Sequence, residues 1–288
     1  MAIHLLVVLL ALALLHLWPA AGRWRGDAWF RRWVAQLSDT DGAGRVVLAL
    51  LLPLALCAAV ELLLAHVGLG SWLPALFALV VLWYALGPRD FEADVRGVLD
   101  AADDVERQGA AQALAEEDGQ PLPWETRALG TAVVYAALRR RFGVVFWFFL
   151  LGPTGALGYR LAQTLGRDAR LARGGDPSAA HVANAVDWLP AQLLTFTLAL
   201  VGHWDGVIGA WQRWHSQAAA TSWYRSGPGF LGAAAQADID FDIDCGDGYA
   251  EERSDPSMEI HRLRATLQRA LLAWLSIVAL VVIGSWLG

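Results

Sequence analysis

The chain has 288 residues, 56% hydrophobic and 17% charged, with a net charge of −6 from 22 basic and 28 acidic side chains. A soluble domain carries about a quarter charged residues, so this composition points to a membrane protein; it excludes a disordered chain, and the acid excess argues against nucleic acid as a partner. Every base is arginine, which removes a P-loop lysine, a Schiff-base lysine and a Ser–Lys dyad, and Cys57 and Cys245 are too few for a disulfide framework or a zinc site.

Charge-free runs place the apolar elements. Ile3–Trp18 lacks a basic leading region and a good small-residue cleavage signal, so it reads as an uncleaved anchor or a re-entrant helix. Val46–Gly68 and Ser71–Gly87 read as a transmembrane hairpin with its turn at Gly68–Leu69–Gly70, interrupted by a single charge, Glu61. Glu92–Glu117 predicts one amphipathic helix, with Val95, Val98, Leu99, Ala102 and Val105 on its apolar face and acids elsewhere. That acidic face could dock a protein partner. A second helix is predicted from about Trp124 to Arg141, ending in Arg139–Arg140–Arg141.

The segments 142–159 and 188–204 are apolar, but Gly152–Pro153–Thr154–Gly155 interrupts the first and Leu189–Pro190 opens the second. Each reads as a short span, a re-entrant segment or a buried core element. Arg160–Arg173 reads as a basic helix at anionic headgroups, and Ser226–Pro256 as a Gly- and Asp-rich loop. Leu271–Leu287 reads as a last transmembrane helix, flanked by Trp274 and Trp286.

All arginines lie outside the apolar runs. The positive-inside rule then favours four spans, with both apolar middle segments dipping in without crossing, over six. The expected architecture is an all-α polytopic membrane protein. Its parts are an N-terminal membrane region (1–88), a cytoplasmic helical region (89–269) and a C-terminal transmembrane helix (270–288).

Three groups of residues could carry chemistry. Asp240, Asp242, Asp244 and Glu251 fall at positions 1, 3, 5 and 12 of a calcium loop, but position 6 is Cys245 where glycine is required. The alternating Ile and Phe fit a short strand equally well, and a solvated acidic loop is the simpler expectation. Asp187, at the mouth of an apolar segment, needs a partner, for which Arg139, Arg140, Arg141 or Arg160 are the obvious choices. Tyr159 and Arg160, after the Gly-Pro-Thr-Gly break, and His203 complete a candidate anionic-ligand set. No nucleophile, metal or nucleotide fingerprint occurs, so no cofactor is expected.

Two stretches carry a family resemblance: Phe146-Trp-Phe-Phe-Leu-Leu-Gly-Pro-Thr-Gly-Ala-Leu-Gly-Tyr-Arg160, and Val186-Asp187-Trp-Leu-Pro190-Ala-Gln192-Leu followed by Ala199-Leu-Val-Gly-His203. With the length and the apolar ends, they resemble AmpE, an inner-membrane protein of Gram-negative bacteria associated with β-lactamase regulation and the peptidoglycan-recycling amidase AmpD. That resemblance implies a multi-pass inner-membrane signalling modulator that binds an anionic small molecule or a membrane or cytoplasmic protein. The same stretches are similar to the CobD/CbiB membrane enzymes, which join an aminopropanol unit to cobyric acid in cobalamin synthesis. Where those enzymes carry Glu-Asn and Asp before the Phe-Trp pair, this chain has Tyr135-Ala-Ala-Leu-Arg139, and where they carry Pro-Ala-Arg it has Pro190-Ala-Gln192. The second resemblance implies, as the alternative, amide-ligase chemistry.

Overall fold

The computed structural model describes residues 2–18, 22, 25–37, 42–66, 72–115, 121–168, 170–171, 176–217, 224–225, 227–244 and 256–287, with side chains to Phe241 and Gly284 in the last two segments. Among them every regular element is helical, and the chain is an all-α polytopic membrane protein. Three helices are long and apolar enough to cross a membrane. The chain divides into two compact units, residues 1–90, 143–186 and 277–288 in one and 91–142 and 187–276 in the other.

The first unit contains α1 (Ala2–Leu17), α2 (Ala28–Gln36), α3 (Gly42–His66), α4 (Trp72–Ala85) and α8 (Gly143–Arg167). α1 and α3 each pack on α4 and α8. α1 buries Val7, Val8, Ala11 and Leu15, and α4 buries Ala78, Leu82 and Ala85, which is the i, i+3, i+4, i+7 stripe of a packed helix. The outer faces are also apolar: Leu48, Leu51, Leu52, Leu56, Leu62 and Leu63 of α3 are all exposed. A contiguous surface of this kind is stable against lipid and not against water. The expected turn at Gly68–Leu69–Gly70 lies outside the described residues. α2, which the charge pattern did not suggest, buries Phe30 and Val34.

α8 is not one straight rod. Gly152 has φ 65° and ψ −154°, outside helical space and accessible to glycine at little cost. Pro153 follows and supplies no N–H. The two limbs fold back on each other. A Cβ on Gly155 would stand 2.3 Å from the carbonyl oxygen of Trp147, and one on Gly143 would stand 2.2 Å from the Tyr159 ring. Residues 8 and 16 positions apart touch only if the limbs are antiparallel, and bare glycines allow the close approach. The segment 142–159 thus folds as a helical hairpin whose two limbs pack on each other. The expected basic helix from Arg160 is its returning limb, which ends at Arg167; Arg173 lies outside the described residues.

The second unit contains α5 (Phe91–Leu99), α6 (Asp104–Ala111), a 3₁₀ turn (Gln112–Leu114), α7 (Thr126–Ala137), α10 (Trp204–Gln217) and α11 (Gly229–Asp244). Its core gathers Phe91, Val95 and Val98 with Leu129, Val133, Phe142, Leu194, Phe230, Ile260 and Leu263. The single helix expected over 92–117 is two. Asp103 takes an extended conformation and its carboxylate accepts the Glu106 N–H at 2.7 Å, which starts a new helix at Asp104. Residues 116–117 lie outside the described residues.

The expected loop over 226–256 is helical from Gly229 to Asp244. Phe230, Leu231, Ala234, Ala235, Asp238 and Ile239 are buried at helical spacing, so packing overrides the Gly- and Asp-rich composition.

α9 (Ser178–Val201) begins in the first unit and enters the second at Asp187, and α12 (Pro256–Leu287) passes from the second to the first at Ile277. Arg262, Arg264 and Arg269 precede the apolar stretch of α12, which begins at Ala270.

Candidate functional site

The second unit holds a concentrated charge cluster on a backbone irregularity. After α7 the chain forms a π-helical turn over Leu138–Phe142. Leu138 and Phe142 are both buried and anchor its ends. The wider turn re-aims the three arginines between them, and such turns recur at functional sites.

Each arginine meets a different carboxylate. Arg139 Nε lies 3.4 Å from Asp187 Oδ2, and its guanidinium sits 5.1 Å from the Tyr135 ring centre. Arg140 donates from Nη1 to Asp94 Oδ2 at 2.7 Å and from Nη2 to the Ala113 carbonyl at 2.7 Å. Arg141 Nη1 lies 4.0 Å from Glu92 Oε2. Glu92 Oε1 also accepts from Arg264 and, at 2.9 Å, from Gln268 Nε2. Asp187 is fully buried, so the partner its position demanded is Arg139.

The arginine side chains are 14 to 25% exposed, so an anion such as a carboxylate or phosphate can approach this cationic cluster from solvent.

The other members of the expected ligand set are held elsewhere. Tyr159 and Arg160 belong to the first unit. Tyr159 covers Gly143, and Arg160 pairs with the buried Asp27, which also accepts from Tyr84 Oη at 3.1 Å. Arg25 is likewise buried, 5.2 Å from the Trp83 ring centre, and burial lowers its pKa. His203 is held by Asp238, whose Oδ1 accepts its backbone N–H at 2.7 Å and lies 3.4 Å from its Nδ1. Gln192 accepts from Trp211 Nε1 at 2.8 Å, and its amide lies 3.4 Å from His215 Nε2.

Asp240, Asp242 and Asp244 lie on α11, where a calcium loop would need a non-helical turn; Glu251 is outside the described residues. Among the described residues no group of three or more His, Cys, Asp or Glu could hold a metal ion.

The sequence reading missed Glu92, Asp94, Arg264 and Asp27. Glu92 and Asp94 had looked like solvated acids of an amphipathic helix. Arg264 lies 172 residues from Glu92, and no local spacing signals such a pair.

An all-α membrane protein with a tight helical hairpin and an arginine-rich cluster is the class that these features define. The chain is similar to the cobalamin biosynthesis protein CobD of Chromobacterium violaceum, 29% identical over 261 residues, which covers 79% of this chain and 80% of that protein. It is also similar to the CobD of Stutzerimonas stutzeri, 30% identical over 171 residues, covering 56% of this chain and 54% of that protein. No family model and no solved structure matches the chain. These relatives support a CobD-like membrane protein, the alternative of the sequence reading, and give no support to an AmpE-type role in β-lactamase regulation or peptidoglycan recycling.

Proposed function

We propose that this protein acts in cobalamin biosynthesis as a CobD-like protein of the bacterial inner membrane, joining an aminopropanol unit to a carboxyl group of cobyric acid. The similarity to the Chromobacterium violaceum protein over 79% of the chain carries this reading. The arginine cluster supports it chemically. A corrinoid bearing carboxylates and amides needs fixed cationic donors, and the cluster of Arg139, Arg140, Arg141 and Arg264 would hold such an anion. Asp187 keeps Arg139 in place and acts as a positioning residue.

Complementation tests the proposal. A bacterium lacking its own CobD and fed cobyric acid should regain cobalamin-dependent growth when this chain is expressed, and Arg140→Ala should weaken that growth. No growth, with the wild-type chain present in the membrane fraction at normal level, overturns the proposal.

A further inference from the structure

The first unit holds an apolar cavity that the proposed function does not use. It has a volume of about 420 Å³ and lies among α2, α3, α4 and the returning limb of α8. Cys57 and Leu157 are its buried lining residues, and Trp29, Leu52 and Leu56 are exposed at its edge. Leu52, Leu56 and Val60 stand at i, i+4 and i+8 of α3, so the cavity follows one face of that helix for about 12 Å. It is a slender groove, open along a leucine face that meets lipid.

A proline helps to build it. Pro53 lies inside α3 and has no N–H for the Ala49 carbonyl four residues back. Trp33 Nε1 of α2 donates to that carbonyl at 3.2 Å instead, which matters because an unsatisfied carbonyl in a membrane helix is costly. Trp29 Nε1 donates to Tyr84 Oη at 2.7 Å. Both indoles thus commit their only polar group to the protein, and the groove wall is apolar. An occupant finds no hydrogen-bonding group there, which selects hydrocarbon.

Charge at the mouth defines the rest of the ligand. Trp29, Arg32 and Trp33 stand at i, i+3 and i+4 of α2 and share one face. Arg31 is held by Asp168 at 2.9 Å, whereas the exposed Arg32 has no acidic partner among the described residues. Tryptophan beside arginine on a short amphipathic helix is the pattern of the membrane–water boundary. A guanidinium there suits a phosphate, and from the Trp33–Ala49 contact the groove leads on along α3 to Val60. A partner helix, about 10 Å thick, does not fit a cavity of this volume, whereas one alkyl chain does.

We infer that the groove between α2, α3 and α4 binds one anionic phospholipid of the bilayer, with an acyl chain in the groove and the phosphate at Arg32.

The full-length protein in nanodiscs of equal parts phosphatidylglycerol and phosphatidylcholine tests this. Phosphatidylglycerol carrying a diazirine within one acyl chain should, on irradiation, label Pro53 and Phe77 in the groove more than Leu62 and Leu63, which are exposed on α3 outside it. Native mass spectrometry should find one retained lipid, with phosphatidylglycerol favoured by about fivefold, the factor that one arginine near a headgroup supplies. Arg32→Gln should abolish that preference, and Val81→Trp, which fills the groove, should release the lipid. Labelling as dense at Leu62 and Leu63 as in the groove would overturn the inference and leave only ordinary surrounding lipid. So would a phosphatidylglycerol preference that survives Arg32→Gln, or a lipid still retained by Val81→Trp. The labelling uses the wild-type chain, so it stands even if Val81→Trp fails to fold.

Discussion

Glu259 shows how burial on α12 makes folding depend on pH. It is 7% exposed, its Oε2 has no hydrogen-bond partner, and its Oε1 lies 3.0 Å from where a side chain on Gly130 of α7 would start. Burial, reinforced by the negative charge of Asp240 and opposed by Arg127 and Arg262, raises its pKa from 4.5 to about 7. The folded state therefore binds this proton more tightly than the unfolded state. The stability it contributes is fully present below pH about 4.5 and is lost as pH rises through about 7. A shift of this size corresponds to about 3 kcal/mol at pH 8. Glu259→Gln keeps the shape without the charge. In detergent the variant should melt roughly 5–10 °C above wild type at pH 8 and within a degree or two of it at pH 4.5. Other carboxylates titrate in the same window, so the measured quantity is the difference between the two proteins at each pH. Equal melting temperatures at pH 8 would refute the reasoning.

Two further perturbations test packing. Asp187→Ala removes a carboxylate partner from the largely buried Arg139 and should cost about 3–5 kcal/mol, whereas the double variant Arg139→Ala/Asp187→Ala should cost less than the sum of the single changes. A thermal-melt double-mutant cycle reads this, and simple additivity would show that the pair is uncoupled. Gly155→Ala puts a methyl group where the Trp147 carbonyl oxygen stands, so the limbs must separate and monodisperse yield in detergent should drop several-fold. Unchanged yield and melting temperature would mean that the limbs do not touch there.

The sequence revealed the membrane elements because charge-free runs are long and unambiguous: α1, α3, α4 and the apolar part of α12 fall within a few residues of their expected bounds. It also revealed that Gly152–Pro153 interrupts a helix, though not that the chain reverses there. The reversal depends on Gly143 and Gly155 meeting Tyr159 and Trp147, and these are contacts between limbs, not local signals. Helix 92–117 was overextended because apolar periodicity runs on through Ala102 and Val105 while the cap at Asp103 breaks the backbone. Of the candidate site, the pairing of Asp187 with an arginine was legible, since a carboxylate in an apolar segment needs one. The π-helical turn that carries the three arginines was not, because no local spacing in Leu138–Phe142 distinguishes it from an α-helical turn.

The hairpin geometry also bears on topology. The returning limb runs antiparallel to α3 within the first unit. A Cβ on Gly158 would stand 3.3 Å from the Leu54 side chain, Gly152 lies against Glu61, and Arg45 donates to the Leu171 carbonyl at 3.4 Å. Leu171 therefore sits at the Arg45 end of α3, opposite the hairpin tip. Arg45 belongs to the basic segment 19–45, which the positive-inside rule assigns to the cytoplasm. Arg170 should then face the cytoplasm, as four spans require and six forbid. In a chain with Cys57 and Cys245 replaced by serine, Arg170→Cys should resist an impermeant maleimide in intact spheroplasts and react after permeabilisation. Reaction in the intact spheroplasts would place the returning limb's end outside and make 142–159 part of a true crossing.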